Sequence, residues 1–550
     1  MNKPDELISQ LFSIRNQYGK KYSEQKLNLL NAISADNPKT KKGLQSWYDV
    51  LLFLTAYPDN RPVYKAASKG LRQLESYINS YQNVQTRLFN SGLTNTKLRA
   101  AFSFEIVKWL RKRFPKDITL GSFESDDAQI QSILSVVMPK VESEIMQDGN
   151  ADWRSWLKAS LTKREDTLDK LISIFDQTDI RPEVKDELWG AIGINVEVNF
   201  SSHVSLPQSL IDPYYHRSLI KKRPSASSGE TEMTRIDIND VQAEQIIDCG
   251  RMILVRHLRE IDPITFTAAP FVSFYHLPRG LSIALMGMVP ERRHPIDSYM
   301  GYVVFKNGVP VAYAGSWILF DSGRIGLNIF PAYRGGESQY IFQQVLRAHS
   351  KAYRLDRFSV DPYQIGKDNS DGITSGAFWT YYHAGFRPIR IKQQQLADRE
   401  AAKIKSTRGY RSPSGILKIL ADSRMEMLLK KSAVRFDATD LSRAYAGILK
   451  ERWNDNRKLA EEVLFTKLAT LLTIKNHNEE KMKFVLKNWC VLLLSGQVEV
   501  IGNKKLKTIL KTLFEQKTHG AEEDYILGLQ KTTELKKLLD TLVRQTVVNK

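Results

Sequence analysis

The chain has 550 residues, of which 42% are hydrophobic, so it is long enough for about three domains and can build apolar cores. It carries 80 basic and 61 acidic residues, a formal net charge of +19. Such an excess of positive charge would attract anionic partners, among them nucleic acid. Alternatively, the basic residues form a solvated surface without a specific partner. These values exclude a disordered chain.

The compartment is predicted from cysteines, apolar runs and the first residues. The two cysteines, Cys249 and Cys490, are far apart, so neither a disulfide framework nor a clustered metal site is expected. Apolar runs are shorter than the roughly 20 residues of a membrane span. The N-terminus is polar and lacks the pattern of a secretory signal. We therefore expect a cytoplasmic protein that does not enter the membrane.

Residues 1–220 are predicted to be helical, since apolar residues such as Leu168, Leu171, Ile172 and Phe175 form stripes at helical spacing. Residues 221–235 are predicted to be a linker, because the segment is first basic and then small and polar, with nothing to bury.

The pattern changes to strands in the central region, residues 236–396. Tyr302–Phe305 and Val309–Leu319 flank Asn307 and Gly308, a pair that suits the positive backbone angles of a tight hairpin turn. A further strand is predicted over Arg324–Phe330. The chain then reaches Arg334, Gly335 and Gly336, whose flexible backbone can expose N–H groups, and Glu337 and Ser338 can open a helix.

In the second half of this region, a strand is again followed by a loop and a helix. Arg357–Asp361 is a strand candidate, and residues 376–384 form a short aromatic helix that Gly385 closes. Residues 397–550 return to helical spacing. The fold class that we predict is α+β: a central mixed sheet with helices, flanked by N-terminal and C-terminal all-helical regions.

This order of elements resembles the GNAT acyltransferase superfamily over about 150 residues. In that superfamily an Arg or Gln followed by spaced glycines binds the pyrophosphate of coenzyme A, and a Tyr four residues before a Gly-Phe pair is the general acid. Arg334, Gly335 and Tyr381 match those positions. The segments around Gly335–Ser338 and Ser375–Trp379 also resemble a family of large uncharacterised bacterial proteins with a GNAT-like centre.

The resemblance implies a donor site and a set of binding residues. Acetyl-CoA or another acyl-CoA is the implied donor, with its pantetheine arm on the backbone where the sheet splays. A helix N-terminus favours the pyrophosphate. The donor-binding candidates are Asn328, Ile329, Phe330, Arg334, Gly335, Gly336, Ser338 and Asn369.

One feature of the turn departs from the superfamily. Glu337 and Gln339 occupy positions that usually hold glycines, and a carboxylate facing a phosphate would repel it. Either Glu337 points away from the donor, as a residue at the start of a helix, or the donor is not an ordinary acyl-CoA.

The catalytic candidates are Tyr381, Asp361 and Glu337. Acyl transfer to an amine needs a group that takes a proton from the nucleophile and one that returns a proton to the thiolate. Tyr381 is the candidate acid, although aromatic residues at helical spacing also serve as core. Asp361, at the end of its strand, and Glu337, beside the turn, are the candidate bases.

Three basic clusters, near Lys108–Lys116, Lys403–Arg411 and Lys504–Lys511, are compatible with nucleic-acid binding or with cations that face water. The sequence has no HExxH motif, no P-loop and no nucleophile elbow, which argues against metal chemistry, a P-loop ATPase and triad hydrolysis.

The predicted function is transfer of an acyl group from acyl-CoA to an amine, a small molecule or a protein. One alternative is an aminoacyl transferase of related fold that takes its donor from charged tRNA. The other is a non-catalytic scaffold of the same fold that binds protein or nucleic acid.

Overall fold

The computed structural model describes residues 3–147, 152–220, 232–430, 434–494 and 503–548. The predicted linker 221–235 lies mostly outside these residues, and its last two positions begin a strand. Across the described ranges, no helix combines the length and apolar character that crossing a membrane requires.

The chain forms two compact units. The first comprises the chain up to Gln208 together with Tyr214–Ser218 and Asp248–Glu260. Its helices and strands, in chain order, are α1 (Lys3–Ile14), α2 (Lys20–Ala35), α3 (Lys41–Ala56), α4 (Arg61–Ser80), α5 (Gln82–Arg87), β1 (Lys97–Ala101), α6 (Phe104–Arg113), β2 (Ile118–Phe123), α7 (Asp127–Val137), α8 (Lys140–Gln147), α9 (Trp153–Ser160), α10 (Thr167–Gln177), α11 (Pro182–Ile192) and β3 (Ile194–Asn199).

The first unit is not all-helical, and that prediction was wrong. Its antiparallel sheet has the order β1-β3-β2, and β3 alternates buried Ile194, Val196 and Val198 with partly exposed residues. The strands are five or six residues long and lie between helices. The period-two alternation in β3 is the signal that could have revealed them.

The second unit comprises Ser209–Pro213, Leu219–Ile247 and the chain from Ile261 onward. The remaining helices and strands are β4 (Thr234–Ile236), α12 (Asp240–Arg256), α13 (Asp262–Thr265), β5 (Val272–Leu277), β6 (Leu281–Met286), β7 (Ser298–Lys306), β8 (Val309–Leu319), β9 (Ser322–Ile325), β10 (Asn328–Ile329), α14 (Ser338–Tyr353), β11 (Arg357–Val360), α15 (Ser370–Ser375), α16 (Ala377–Ala384), β12 (Arg387–Pro388), α17 (Ile391–Ser406), α18 (Ser414–Ala421), β13 (Met425–Leu428), α19 (Ala438–Trp453), α20 (Arg457–Leu472), α21 (Glu480–Leu494), α22 (Lys504–Thr518), α23 (Glu522–Gln530) and α24 (Thr533–Val548).

The α+β fold class is confirmed, with a mixed sheet and flanking helices. The strand order is β12-β13-β11-β9-β8-β7-β6-β5-β4, and β10 also pairs with β8. Strands β9 and β11 are parallel neighbours. From β4 to β9, each strand is antiparallel to the next one in the chain. The predicted hairpin is confirmed, since Asn307 and Gly308 join β7 to β8 with φ of 47° and 79°.

Two predictions about this unit need correction. The strand predicted over Arg324–Phe330 is interrupted, with β9 ending at Ile325 and β10 beginning at Asn328. The region after residue 396 is not all-helical, because β13 inserts between β11 and β12. Four residues are too few for a clear alternation, so only pairing with neighbours identifies β13 as a strand.

The C-terminal helices share an apolar core with one end of the sheet. Leu319 and Phe320, at the end of β8, cluster with Val434, Phe436 and the buried faces of α19 to α24. Asp437 opens α19 with a capping box, in which its side chain accepts from Thr439 N–H and Asp440 N–H. The boundaries predicted at 236, 396 and 397 stay predictions.

Candidate functional site

The break between β9 and β10 lies beside the parallel strand β11. Strand β9 pairs with β11 at Ser322, Gly323 and Arg324. Beyond Arg324, no pair with β11 occurs among the described residues, and β10 pairs with β8 instead. The parallel pairing therefore stops before Gly326 and Leu327, and the backbone groups of these two residues bond to side chains instead.

Two tyrosine hydroxyls occupy this gap. Leu327 N–H donates to the Tyr381 hydroxyl at 3.2 Å, and the Tyr302 hydroxyl donates to Gly326 C=O. Tyr381 lies on α16, is 3% exposed and contacts the rings of Phe342 and Phe386. Burial raises the pKa of Tyr381, so this hydroxyl keeps its proton. No described residue accepts a hydrogen bond from it.

A side chain at position 326 would crowd Gln364 and make that side chain shift. A Cβ at position 326 would lie 3.2 Å from atoms of the Gln364 side chain, which extends from the turn after β11. Leu327 and Tyr302 were not candidates from the sequence, because no local pattern shows that their segments meet the polar loop of Gln364, a residue that the sequence did suggest could orient substrate or cofactor.

The Arg334 turn leads into α14. Gly335 has φ of 86°, a left-handed conformation that glycine adopts without strain, and Gly336 N–H donates to Tyr333 C=O at 3.1 Å. The exposed Arg334 guanidinium lies 3.2 Å from the Asp371 carboxylate. Among the described residues, no side chain caps the N-terminus of α14 at Ser338. This turn thus presents a long helix's N-terminus next to a guanidinium.

Glu337 is buried beneath this turn. Its side chain is 0% exposed, and its Oε2 accepts from Lys306 Nζ at 2.7 Å. Its Oε1 accepts from Arg279 Nη2 at 2.5 Å and from Ile220 N–H at 2.9 Å. Burial lowers the pKa of Lys306 to about 8 although the carboxylate opposes that shift. Of the two alternatives for Glu337, the geometry fits the one in which its side chain points into the protein.

Two hairpin turns supply the cations around Glu337. Arg279 lies in the β5–β6 turn with φ of 70°, and Lys306 ends β7 at the next hairpin. Asn307 N–H donates to Gly280 C=O at 2.8 Å, which joins the two turns. No local pattern predicts this cluster, because a lysine in a polar turn, such as Lys306, is normally exposed.

Asp361 lies between two arginines. Its Oδ2 is 3.3 Å from Arg324 Nη1, and its Oδ1 is 3.7 Å from Arg424 Nε. One third of the Asp361 side chain is exposed. Arg324 belongs to β9 and Leu327 follows it by three residues, so Asp361 and Tyr381 contact residues that are close together in the chain.

The other donor-binding candidates have structural contacts. Asn328 and Ile329 pair with Tyr313 and Ala312 of β8, and Phe330 stacks on Tyr313 with centroids 5.2 Å apart. Asn369 caps α15, where its Oδ1 accepts from Gly372 N–H at 3.1 Å. Ser338 is the first residue of α14 and is partly exposed.

Three cations of the Lys108–Lys116 cluster pair with carboxylates within the first unit. Lys108 pairs with Asp176 at 2.5 Å, and Arg111 forms a fork with Asp169 at 2.7 Å. Arg113 pairs with Asp248 at 2.8 Å. These pairs reduce the positive potential that the sequence alone predicts.

Comparisons with protein-family models, with curated proteins and with solved structures return no match to this chain. Within the described ranges, no group of three or more His, Cys, Asp or Glu side chains is arranged to hold a metal ion.

Proposed function

We propose that the second unit transfers an acyl group from an acyl-CoA to an amine. The observation that carries this proposal is the backbone N–H of Leu327, which lies beyond the end of the β9–β11 pairing and donates to the buried Tyr381 hydroxyl. The thiolate that leaves a thioester needs a proton source of this kind near its sulfur.

Each candidate residue has a separate role in the proposed reaction. The amine nitrogen attacks the thioester carbonyl carbon, the carbon–sulfur bond breaks, and Asp361 takes the proton that the amine loses. Tyr381 gives its proton to the leaving thiolate, a role that suits a hydroxyl whose pKa is raised by burial. Leu327 N–H donates to the Tyr381 hydroxyl oxygen and holds that hydroxyl in place for this transfer.

The pyrophosphate of the donor is assigned to the turn at Arg334, Gly335 and Gly336. The positive end of the 16-residue helix α14 favours an anion there. Glu337 does not oppose this assignment, since Lys306 and Arg279 surround its one negative charge with two positive charges. This cluster has a net charge of about +1 when all three groups are ionised.

Asp361 is the better base of the two carboxylates. It is one third exposed, so a substrate amine can approach it, whereas Glu337 is fully enclosed. A base must lie within hydrogen-bond reach of the proton that it removes. Glu337 is therefore assigned a structural role at the start of α14.

Calorimetric titration of the full chain with acetyl-CoA tests donor binding. Arg334→Ala and Gly335→Glu should each weaken binding by about 10-fold or more, because the first removes a charged hydrogen bond and the second adds a repelling carboxylate. Gly409→Glu is the matched control, since Gly409 is also exposed and has a comparable φ of 81°. No binding by the wild type, or equal binding by all variants, would overturn the proposal.

The chemical step is tested with Tyr381→Phe. Thiol release from acetyl-CoA in the presence of an amine panel should fall about 10²- to 10⁴-fold, with donor affinity retained. Tyr382→Phe on the same helix is the control, since that hydroxyl is bonded to Asp398 at 2.8 Å on the surface. An equal loss in both variants would argue against an acid role for Tyr381.

A further inference from the structure

One peptide group, the amide between Gly326 and Leu327, is bonded to a tyrosine hydroxyl at each of its two polar atoms. The C=O of Gly326 accepts from the Tyr302 hydroxyl, and the N–H of Leu327 donates to the Tyr381 hydroxyl oxygen at 3.2 Å. This C=O and this N–H belong to the same planar amide. A rotation of the amide that disturbs one bond therefore disturbs the other as well.

Tyr302 reaches this amide from the middle of the sheet. It lies on β7, where its backbone is opposite Leu285 of β6 and Ala314 of β8, and the residue is 0% exposed. Its ring packs edge-on against the ring of His349 on α14, with centroids 5.1 Å apart. A side chain that is enclosed on a strand paired on both sides has little freedom to move. The Tyr302 hydroxyl is therefore a fixed point against which the amide is held.

The Tyr302 hydroxyl is a permanent donor to this amide. A carbonyl oxygen carries no proton, so the hydrogen of the bond comes from Tyr302. Burial raises the pKa of Tyr302 well above its usual range, so the hydroxyl keeps that proton. Donation to a C=O polarises the amide and makes the N–H of the same group a stronger donor. The bond from Leu327 to Tyr381 is strengthened in this way.

At Tyr381, the bond from Leu327 decides which way the hydroxyl proton points. The phenol oxygen accepts from the Leu327 N–H, so its own O–H is directed away from that amide. The pKa of Tyr381 is raised by burial, and the bond from Leu327 opposes that rise because it favours the phenolate. A buried acid that gives up its proton needs such a donor for the charge that remains on its oxygen.

We propose that Tyr302 is a positioning residue for Tyr381, which it acts on through the amide of Gly326 and Leu327. The inference rests on the proposed function. Because Tyr302 is enclosed, it contacts no substrate; it holds the Tyr381 oxygen on the Leu327 N–H and leaves the Tyr381 proton free for the leaving thiolate.

In this transfer the O–H bond of Tyr381 breaks and an S–H bond forms, while the electron pair stays on the phenolate oxygen beside the Leu327 N–H. The proton that Asp361 takes from the amine balances the one that Tyr381 loses, and exchange with water resets both groups.

Hydrogen exchange at the Leu327 amide tests the inference in the full chain without any acyl donor. Tyr302→Phe keeps the ring and removes the hydroxyl. The Leu327 amide, followed by NMR with isotope-labelled leucine, should then exchange about 3- to 10-fold faster. Tyr353→Phe is the matched control, since Tyr353 is 1% exposed and its ring also contacts His349, at 5.7 Å. Unchanged exchange in Tyr302→Phe, or an equal rise in both variants, would overturn the proposal.

A ring-fluorinated tyrosine at position 302 changes the same bond in the opposite direction and retains the hydroxyl that the fold uses. Fluorine makes the hydroxyl a stronger donor, so the Leu327 amide should exchange more slowly than in the wild type. This measurement decides the question if Tyr302→Phe does not fold. Faster or unchanged exchange would contradict a bond that runs from Tyr302 through the amide.

Turnover separates this inference from the proposed function. Tyr302→Phe should lower kcat about 3- to 10-fold with the KM for acetyl-CoA unchanged. In a Tyr381→Phe background it should have no further effect, because it acts only through Tyr381. Additive losses in the double variant would reject the positioning role while leaving acyl transfer standing. No turnover by the wild type would reject acyl transfer, and the exchange rates would still decide whether Tyr302 holds the amide.

Discussion

Glu337 and Asp361, the two candidate carboxylates, differ in burial, and this difference underlies the roles proposed for them. Glu337 is 0% exposed and accepts hydrogen bonds from Lys306, Arg279 and a backbone N–H. Asp361 is one third exposed and lies 3.3 Å and 3.7 Å from two arginines. The carboxylate closer in sequence to the turn is enclosed, whereas the distant one, at the end of β11, is partly exposed.

A carboxylate that accepts several hydrogen bonds has a structural role, whereas one with fewer contacts is accessible to a substrate. A buried carboxylate with several charged donors is fixed in place, and removing it leaves its cations without a partner. A partly exposed carboxylate with longer contacts can exchange a proton with a substrate at smaller cost.

The largest expected effect is on stability, in Glu337→Ala. The variant leaves Lys306 and Arg279 without their carboxylate, and breaking such a buried pair costs about 3 to 5 kcal/mol of unfolding free energy. Chemical denaturation followed by circular dichroism measures this loss. Asp371→Ala, which removes the 69% exposed partner of Arg334, is the control and should cost less than about 1 kcal/mol. Equal losses would show that the Glu337 cluster is not a stabilising centre.

The second effect is on rate, in Asp361→Asn, and it depends on the proposed function. Acyl transfer should fall by at least about 100-fold because the base is lost. The unfolding free energy should change by less than about 1 kcal/mol, since the contacts of Asp361 are partly exposed. Asp422→Asn, on an exposed acid that pairs with Lys367, is the matched control. A full rate in Asp361→Asn would reassign the base.

A third prediction uses pH to examine the Glu337 cluster. The pKa of Lys306 is about 8 in the folded chain against 10.5 in the unfolded chain. Between these values the unfolded state binds more protons, so stability rises with pH. Between pH 8 and 10.5, the unfolding free energy of the wild type should rise by about 1 to 3 kcal/mol relative to that of Lys306→Met. Chemical denaturation midpoints, converted to free energy, measure this difference. Parallel pH profiles for the two proteins would contradict a lowered pKa at Lys306.

The smallest expected effect is the stability change in Arg334→Ala. Its ion pair with Asp371 is exposed on both sides, at 51% and 69%, and such pairs contribute less than about 1 kcal/mol. The thermal midpoint should therefore remain within about 2 °C of the wild type. A large drop would mean that Arg334 is a structural residue, and that its effect on donor binding is indirect.

Local patterns predicted much of the second unit. The Asn-Gly turn gave the β7–β8 hairpin, and Gly335 and Gly385 have the positive φ values that their places in a turn and a helix end suggest. The helices α14 and α16 and the strand β11 lie where their apolar spacing predicted them. These turns, helices and strands depend on a few neighbouring residues, so they can be predicted from a single sequence.

Contacts between distant segments were not predictable in this way. The Leu327–Tyr381 bond joins residues 54 positions apart, and the Arg357–Glu426 pair joins residues 69 positions apart. The insertion of β13 and the burial of Lys306 also depend on which turns and strands meet. Composition does not reveal these long-range contacts, because a lysine can be exposed to solvent in one fold and buried in another.

The sequence by itself determined the α+β class, the order of elements around the Arg334 turn and the residues from which a base and an acid could be chosen. Only the tertiary structure decided that Glu337 is enclosed by cations, that Asp361 remains accessible and that two tyrosine hydroxyls bond to one peptide group. The physical reason is that local geometry follows from neighbouring residues, whereas burial and charge pairing follow from long-range packing.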